Sequence, residues 1–465
     1  MGTVGLSFGA ATSGTGFDVA TTVSSILALS SSIENPWQTQ LTSLKAQDTA
    51  LSGIGTDLAT LSTAVSALTD FDGVLASKEG SSSDTDVLTL TSASSSAIAG
   101  SHTITVTSLA ATSSDYSDEV AGASDTLSGT LSIQIGAAAS TASTAATAAQ
   151  TITIGSTNDT LASLASYINN GSYGVTASVV TDTKGSRLSL VSSTSGAAGQ
   201  ITLGGTLTDA TTSSTVGFTA GQTGADAVLS VDGLPTTSAS NTVTGAIPGV
   251  TFQLLSSSPG TSVQVQITND NTSVETAVQA VVTAYNTVAT DIKTQAGDDS
   301  SGNPEPLYGD PTMSLIQSQL SSALSGGAAS GAISNMEQLG ISANPDGTLT
   351  LDTSTLDSIL NSNYADVTGF LQNTGGWGQG IATVLNTLGN SSTTGAISLE
   401  LAQDSTTETG LNTDITNENA LIATEKTNLT AELNTANQEL QAIPQQLNEV
   451  NEIYSAVTGY NTGNG

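Results

Sequence analysis

The sequence predicts a multidomain α+β protein, in which helices near both chain ends enclose a β-rich middle. Apolar residues recur at spacings of three and four close to each terminus, which is typical of amphipathic helices. Between about residues 87 and 267 apolar and polar residues alternate instead, which is typical of strands. Helical spacing returns after residue 273. This order predicts nested insertions, with both termini at the same end of the molecule.

The composition limits the classes of partner. The chain of 465 residues carries 40 acidic and 6 basic residues, so its formal net charge is −34. Such a surface repels nucleic acid and anionic membranes, and we expect neither as a partner. No apolar run approaches the ~20 residues of a membrane span, so we expect no membrane insertion. Cysteine is absent, which excludes disulfides and thiolate metal sites.

The N-terminal part predicts two helices separated by Pro36. The first covers residues 17–33, with Asp18 as its cap. One of its faces is apolar and carries Val19, Val23, Ile26 and Leu27. The second covers residues 37–68, and its apolar stripe is interrupted where Asp48 lies between two leucines.

The C-terminal part predicts a heptad seam from Ile422 to Val457. Pro444 lies inside the seam and is expected to kink or break the helix. Burial of each large apolar side chain contributes about 1.5–3 kcal/mol, so a wet seam would forfeit on the order of 10 kcal/mol. We therefore expect a partner helix. Together with the N-terminal face, the expected interface residues are Val19, Val23, Ile26, Leu27, Leu429, Leu433, Leu440, Leu447 and Val450.

No residue pattern predicts an enzyme, and we expect no catalytic, cofactor-binding or metal-binding residues. His102 is the single histidine and lies in an alternating strand, so a strand-surface role is favoured over a ligand role. Asp298, Asp299, Asn303 and Glu305 could bind calcium weakly, but they lack the spacing of an EF loop, which favours a solvated loop.

Four stretches resemble the flagellar filament cap family, also called hook-associated protein 2. They are Gly16-Phe17-Asp18-Val19 through Leu44; Asp86-Val87-Leu88 and Gly100 to Ala110; Val231-Asp232-Gly233 with Gly249-Val250-Thr251-Phe252 and Ala284-Tyr285-Asn286; and Leu339-Gly340-Ile341 with Asp346-Gly347-Thr348-Leu349. The four occur in the family's order and extend over nearly the whole chain. The terminal helices depart from the family pattern because Ser, Thr and Asn replace charged residues.

The resemblance implies a terminal coiled coil, a helical leg and β-rich heads. The expected domains are residues 1–36 (export tail and terminal helix, paired with 405–465), 37–78 (leg helix, with 271–404), 79–110 with 225–270 (inner β head), 111–224 (inserted outer β head), 271–404 (helical leg with a β hairpin) and 405–465 (C-terminal coiled coil).

The resemblance also implies a secreted structural cap at the distal tip of the bacterial flagellar filament. Such a cap forms a homo-oligomeric ring of five or six copies and promotes the folding and insertion of exported flagellin. Flagellin, hook–filament junction proteins and an export chaperone are the implied partners, and a type III export channel is the implied route. Two alternatives stay open: an adhesin that binds host glycans or mucin through the Ser/Thr-rich residues 111–224, and another axial protein such as flagellin.

Overall fold

A computed structural model describes residues 15–136, 148–327, 331–389 and 394–459, so residues 1–14 of the expected export tail lie outside the described residues. The chain divides into two compact units. The helical unit comprises Met1–Thr69 and Glu275–Gly465, and the β unit comprises Asp70–Val274. The predicted α+β class is confirmed, whereas the finer domain boundaries stay a prediction.

The described residues form the following helices and strands. The helices are α1 Val19–Ser30, α2 Glu34–Thr69, α3 Leu161–Asn170, α4 Asn271–Gln295, α5 Pro311–Leu324, α6 Thr353–Gln372, α7 Trp377–Leu388 and α8 Ala396–Thr458. The strands are β1 Lys78–Ser82, β2 Leu88–Ala93, β3 Gly100–Ser108, β4 Thr112–Ser117, β5 Leu127–Ile135, β6 Gln150–Thr153, β7 Val175–Thr181, β8 Ser186–Ser195, β9 Ile201–Asp209, β10 Ser214–Val216, β11 Phe218–Gln222, β12 Ala227–Val231, β13 Leu234–Ser238, β14 Thr242–Ile247, β15 Val250–Leu254, β16 Val263–Asn269, β17 Ile341–Ala343 and β18 Leu349–Leu351.

The core of the helical unit forms around the second half of α2. This helix packs against α7 and α8. Its buried stripe has the predicted spacing of three and four and comprises Leu51, Ile54, Leu58, Leu61, Val65 and Leu68. On α7, Trp377 stacks on Phe370 with ring centroids 5.4 Å apart, and its indole N–H donates to the Leu324 carbonyl at 3.0 Å.

Pro36 and Pro444 both lie inside helices and do not end them. Pro36 lies in the first turn of α2, where its missing N–H has no intrahelical acceptor and costs nothing. The predicted interruption at Pro36 is therefore displaced to the short 3-10 turn Ser31–Ile33 that precedes α2. The predicted break at Pro444 is wrong, because α8 runs through this residue as one helix of 63 residues.

The β unit has two separate apolar cores, both built by antiparallel strands. The first lies among a five-stranded sheet of order β1-β16-β3-β12-β13 and a three-stranded sheet of order β14-β15-β2. Inward positions alternate along each strand, and Ile104, Val106, Phe252 and Val265 are fully buried there. This alternation is the pattern that predicted strands between residues 87 and 267.

The second core belongs to residues 120–218, within the Ser/Thr-rich stretch. Two four-stranded sheets, of order β10-β9-β5-β6 and β11-β4-β8-β7, contribute side chains together with the apolar face of α3. Thr160 caps α3 by accepting a hydrogen bond from the Ser163 N–H at 3.1 Å. The Ser163 hydroxyl donates back toward the Thr160 carbonyl, and its oxygen accepts from the Thr160 N–H, so the cap is reciprocal.

Candidate functional site

The two terminal helices of the chain lie side by side in opposite directions. The backbone N–H of Phe17, just before α1, donates to Asn437 Oδ1 on α8 at 2.8 Å. The other end of α1 faces an earlier part of α8, because Leu27 and Ile422 line the same groove. Asp18 caps α1 as predicted, accepting from the backbone N–H of Ala20 and Thr21. The chain therefore supplies one partner helix for its own C-terminal seam.

The predicted apolar face of α1 is the face that packs. Val23 is 2% exposed and Leu27 is 7% exposed, whereas Val19 and Ile26 are half-buried. The spacing of four residues between Val23 and Leu27 places both on one side of the helix. The structure thus brings Val19, Val23 and Leu27 to the groove along α8, although it does not test the predicted role of the four residues between copies.

The seam of α8 is progressively less buried toward its C-terminal end. Leu411 is buried, and the predicted interface residues Leu429, Leu433 and Leu440 are half-buried. Beyond them Leu447 is 44% exposed and Val450 is 59% exposed. The exposure continues through Ile453, Tyr454 and Val457 to the end of the helix. We call the last part, comprising Leu447, Val450, Ile453, Tyr454 and Val457, the exposed stripe.

A groove of about 800 Å³ follows the junction of α1 and α8. Val19, Val23 and Leu27 form one wall, and Ile422 and Lys426 stand on the other wall among polar residues. Lys426 is the single basic residue of α8. A groove between two antiparallel helices, with one apolar wall, is a shape that can receive a third helix in a helical bundle.

Helices α2 and α8 carry an unusual set of buried carboxyl groups. One carboxyl oxygen of each of Glu34, Asp48, Glu400 and Glu408 is buried and has no hydrogen-bond partner among the described residues. The first two lie on α2 and the last two on α8, and these helices pack against each other. For Asp48 and Glu400 this burial raises the pKa, because water no longer solvates the charge of the ionised form.

Carboxyl groups of neighbouring helices also face one another in pairs. Burial, reinforced by the charge of the facing Asp404, raises the pKa of Asp48. Burial and a hydrogen bond shared with Asp291 raise the pKa of Asp57 to about 6. Two carboxyls that share a hydrogen bond must hold one proton between them, so these contacts favour proton uptake.

Glu400 completes this set at the contact of α8 with the start of α5. Burial is the main cause that raises the pKa of Glu400 to about 7, and the facing Asp310 carboxyl adds to it. A hydrogen bond from Thr312 opposes the shift but does not cancel it. The helical unit therefore holds carboxyl groups that titrate near neutral pH.

The other residues considered from the sequence have local structural roles. His102 Nδ1 lies 2.8 Å from Asp232 Oδ2, and the same carboxylate accepts from the Thr103 N–H at 2.8 Å. Asp232 and Gly233 form the turn between β12 and β13 with φ angles of 51° and 81°. This pairing holds the pKa of Asp232 below its usual value, chiefly through the His102 hydrogen bond. His102 thus lies on a strand, as predicted.

The acidic loop after α4 also has a local explanation. Asp299 accepts hydrogen bonds from the backbone N–H of Asn303 and Ser301, which lower its pKa. Among the described residues no group of three or more His, Asp or Glu side chains is placed to hold a metal ion. Nor does any described helix combine the length and apolar character needed to cross a membrane.

Sequence reasoning did not foresee the carboxyl pairs. Its one signal was Asp48, which occupies an apolar slot of the α2 stripe and proves to face α8. The other carboxyl groups of the pairs belong to Asp404, Asp291 and Asp310. They lie far from Asp48 in the sequence, on three other parts of the helical unit. Only the packing of the helices brings the pairs together.

Models of known protein families match most of the chain. The model of the flagellar hook-associated protein 2 C-terminus matches residues 224–457, and the model of its N-terminus matches residues 15–114. A flagellin hook IN motif matches residues 130–194, which lie in the second core of the β unit.

Individual relatives agree with the family models. The B-type flagellar hook-associated protein 2 of Pseudomonas aeruginosa is 30% identical over 365 residues, which cover 73% of each chain. The flagellar hook-associated protein 2 of Escherichia coli K12 is 31% identical over 376 residues, covering 76% of this chain and 78% of the relative. A crystal structure of domains D1-D2-D3 of the flagellar cap protein from Escherichia coli aligns with a TM-score of 0.58 and 28% identity, covering 77% of this chain and 99% of that one.

Proposed function

Because this chain belongs to the flagellar hook-associated protein 2 family, we propose that it works at the flagellar tip as a ring whose copies join through the exposed stripe of α8. The role as a structural filament cap follows from the family. In that ring the copies hold exported flagellin while it folds and inserts. The matches to relatives lend no support to the adhesin alternative.

The observation that carries the proposal is the exposure of the stripe. Leu447, Val450 and Val457 are 44%, 59% and 80% exposed, although their heptad spacing is that of a packed seam. Each such side chain contributes about 1.5–3 kcal/mol when it is buried. Neighbouring copies would supply the apolar surface that the described part of one chain leaves uncovered.

The groove between α1 and α8 offers a second place for a partner helix. Its apolar wall is formed by Val19, Val23 and Leu27, which already belong to the predicted interface. A helix of a neighbouring copy, or an apolar helix of flagellin, has the chemistry to fill it. We assign the groove to the neighbouring copy, because its walls continue the same seam that ends in the exposed stripe.

Charge sets the conditions of assembly. Every copy carries a formal net charge of −34, and Glu418, Glu425, Glu432 and Glu439 recur along α8 at intervals of seven. Copies therefore repel one another at low ionic strength, where the Debye length reaches ~30 Å at 0.01 M salt. We expect association to strengthen as salt is raised to physiological levels, in contrast to complexes held by opposite charges.

The decisive experiment measures oligomer size for a variant of the stripe. Leu447→Ser with Val450→Ser should shift light-scattering mass at 0.15 M salt from oligomer to monomer and remove rings from electron micrographs. Leu399→Ser is the matched control, because Leu399 is an exposed leucine of the same helix outside the seam. Rings that persist in the double variant would contradict the assignment of the stripe, and a wild-type chain that is always monomeric would contradict the ring itself.

The accessory partners follow from the same surface. An export chaperone that keeps the subunit from assembling inside the cell would need to cover the exposed stripe, since this is where copies join. Secretion through the flagellar export channel and contact with hook–filament junction proteins belong to the same proposal. A partner protein with an apolar groove should co-purify with the wild type but not with the Leu447→Ser, Val450→Ser variant. This result would support the proposed contact between the chaperone and the exposed stripe.

A further inference from the structure

The β unit contains a cleft of about 440 Å³ that its cap role does not explain. The cleft opens where the edge strands β10 and β11 pass from one sheet of the second core to the other. Leu203 and Gly205 of β9 form one wall, and Phe218 and Ala220 of β11 form another. Asp115 of β4 also lines the cleft.

The alternation of β4 accounts for a carboxylate at this place. Ser113, Asp115 and Ser117 all point inward and are buried. The two serines are satisfied, because Ser113 Oγ accepts from the Ile201 N–H at 3.0 Å and Ser117 Oγ accepts from the Leu188 N–H at 2.8 Å. Asp115 is only 7% exposed, yet its carboxylate has no hydrogen-bond donor among the described residues.

Asp209 in the same core shows what a satisfied buried carboxylate looks like. It is 4% exposed and accepts from the Thr212 hydroxyl at 2.7 Å and from the Thr211 N–H at 2.8 Å. These bonds lower the pKa of Asp209, whereas burial without such bonds raises the pKa of Asp115. The Asp115 oxygens are not among the fully enclosed oxygens that lack a partner, so they are open to the cleft that Asp115 lines. A hydrogen-bond donor placed in the cleft can therefore reach this carboxylate.

The walls of the cleft are held in place by backbone contacts. Gly217, between β10 and β11, donates to Asp118 Oδ2 at 2.9 Å and accepts from the Asp118 N–H at 2.7 Å. This pair fixes the crossing of the chain beside Phe218. The cleft is thus a formed site and does not require a loop to close over it.

We propose that this cleft binds the primary ammonium head of a ligand with a short apolar stem. An ionised carboxylate only accepts hydrogen bonds, and an ammonium group only donates them. The half-buried Phe218 ring and Leu203 offer apolar surface for the stem, and an aromatic face also attracts a cation. The net charge of −34 favours a cationic ligand over an anionic one. The source of the ammonium group is a free alkylamine or the side chain of a lysine.

The test is titration of the full chain with n-butylammonium, followed by amide NMR shifts and calorimetry. We expect saturable binding with shifts centred on β4, β9 and β11, and at least tenfold weaker binding by Asp115→Asn. Asp86→Asn is the matched control, because it removes the same charge from an exposed position of the β unit and should bind like the wild type. Binding that is absent in the wild type, or equal in Asp115→Asn, would overturn the proposal.

Two further arms make the test independent of how the variant folds. Neutral n-butanol has nearly the same shape and should bind the wild type far more weakly; equal binding would overturn the role of the charge. The N-acetylated, C-amidated tripeptide Gly-Lys-Gly presents the same head, as its one ammonium group, on a protein backbone. Tighter binding of the tripeptide than of n-butylammonium identifies a protein lysine as the source, and the reverse order identifies a small amine. None of these results depends on the ring at the filament tip.

Discussion

The helical unit and the β unit bury their apolar surface in different ways. The β unit encloses two cores with its own strands, and residues such as Phe252 and Leu188 are fully buried there. The helical unit buries the middle of α2 equally well, but the C-terminal end of α8 keeps an exposed stripe. The difference supports the proposal that neighbouring copies cover the exposed stripe of the helical unit.

The two units differ in their carboxyl groups as well. In the β unit, hydrogen bonds from threonine and histidine hold the pKa values of Asp209 and Asp232 below the usual value. In the helical unit, burial and facing carboxyls raise the pKa values of Asp57 and Glu400. The folded β unit therefore favours the charged forms of Asp209 and Asp232, and the folded helical unit favours the protonated forms of Asp57 and Glu400.

Deletion of residues 415–465 should have the largest effect on this comparison. It removes the seam and the partner of α1, so Val23 and Leu27 lose their packing. We expect no oligomer in light scattering and no swimming in cells that carry the deletion. The β unit should keep its own thermal transition in calorimetry. Normal swimming of cells that carry the deletion would show that the seam is not required for the proposed function.

Phe252→Ala should have the opposite effect to the deletion, because it should destabilise the β unit alone. Phe252 is 0% exposed, and truncation of a buried phenylalanine typically costs about 3–5 kcal/mol of unfolding free energy. Both tryptophans, Trp37 and Trp377, lie in the helical unit, so their fluorescence reports that unit. Denaturant unfolding should shift in far-ultraviolet circular dichroism while the fluorescence midpoint and the oligomer mass stay unchanged. A fluorescence midpoint that moves equally would show that the units unfold together.

The helical unit should become more stable as pH falls from 7 toward 4. Its raised pKa values mean that the folded unit binds protons more tightly than the unfolded chain, so its unfolding free energy falls as pH rises. The contribution is complete below the ordinary carboxyl pKa of about 4. It is lost as pH rises through about 6 for Asp57 and about 7 for Glu400.

The β unit should show the opposite slope in more acidic solution. Asp209 and Asp232 stabilise it above the ordinary carboxyl pKa, and this stabilisation is lost as pH falls through their lowered values. Tryptophan fluorescence against pH separates the helical unit from the rest. Asp57→Asn with Glu400→Gln should flatten its slope between pH 5 and 7, and the exposed Glu432→Gln should leave it unchanged. An unaltered slope in the double variant would contradict the assignment of the titrating groups.

Local patterns were sufficient to predict the regular elements with strong periodicity. The stripe of α2 from Leu51 to Leu68 and the alternation of β3 around Ile104 are visible in the sequence and hold in the structure. Strands β4 and β9 lie within residues 87–267 but lack the alternation that predicts strands there. Ser113, Asp115 and Ser117 occupy inward positions of β4, and Gly204 with Gly205 interrupts β9, so neither strand displays an apolar alternation.

The interface between copies stays a prediction. Heptad spacing predicts the seam, but it cannot tell which seam residues the chain covers itself, because that depends on where α1 lies along α8. The pairs Asp57–Asp291 and His102–Asp232 join residues more than one hundred positions apart. Such contacts are set by tertiary packing, which no local pattern records.

Hydrogen–deuterium exchange along α8 tests the central claim most directly. In a dilute monomer at low salt, the amides of residues 444–458 should exchange quickly while those near Leu411 stay protected, because the region around Leu411 is packed within one chain and the end of α8 is exposed. On assembly at 0.15 M salt, residues 444–458 should become protected. Full protection of these residues already in the dilute monomer would contradict the claim that neighbouring copies cover the exposed stripe.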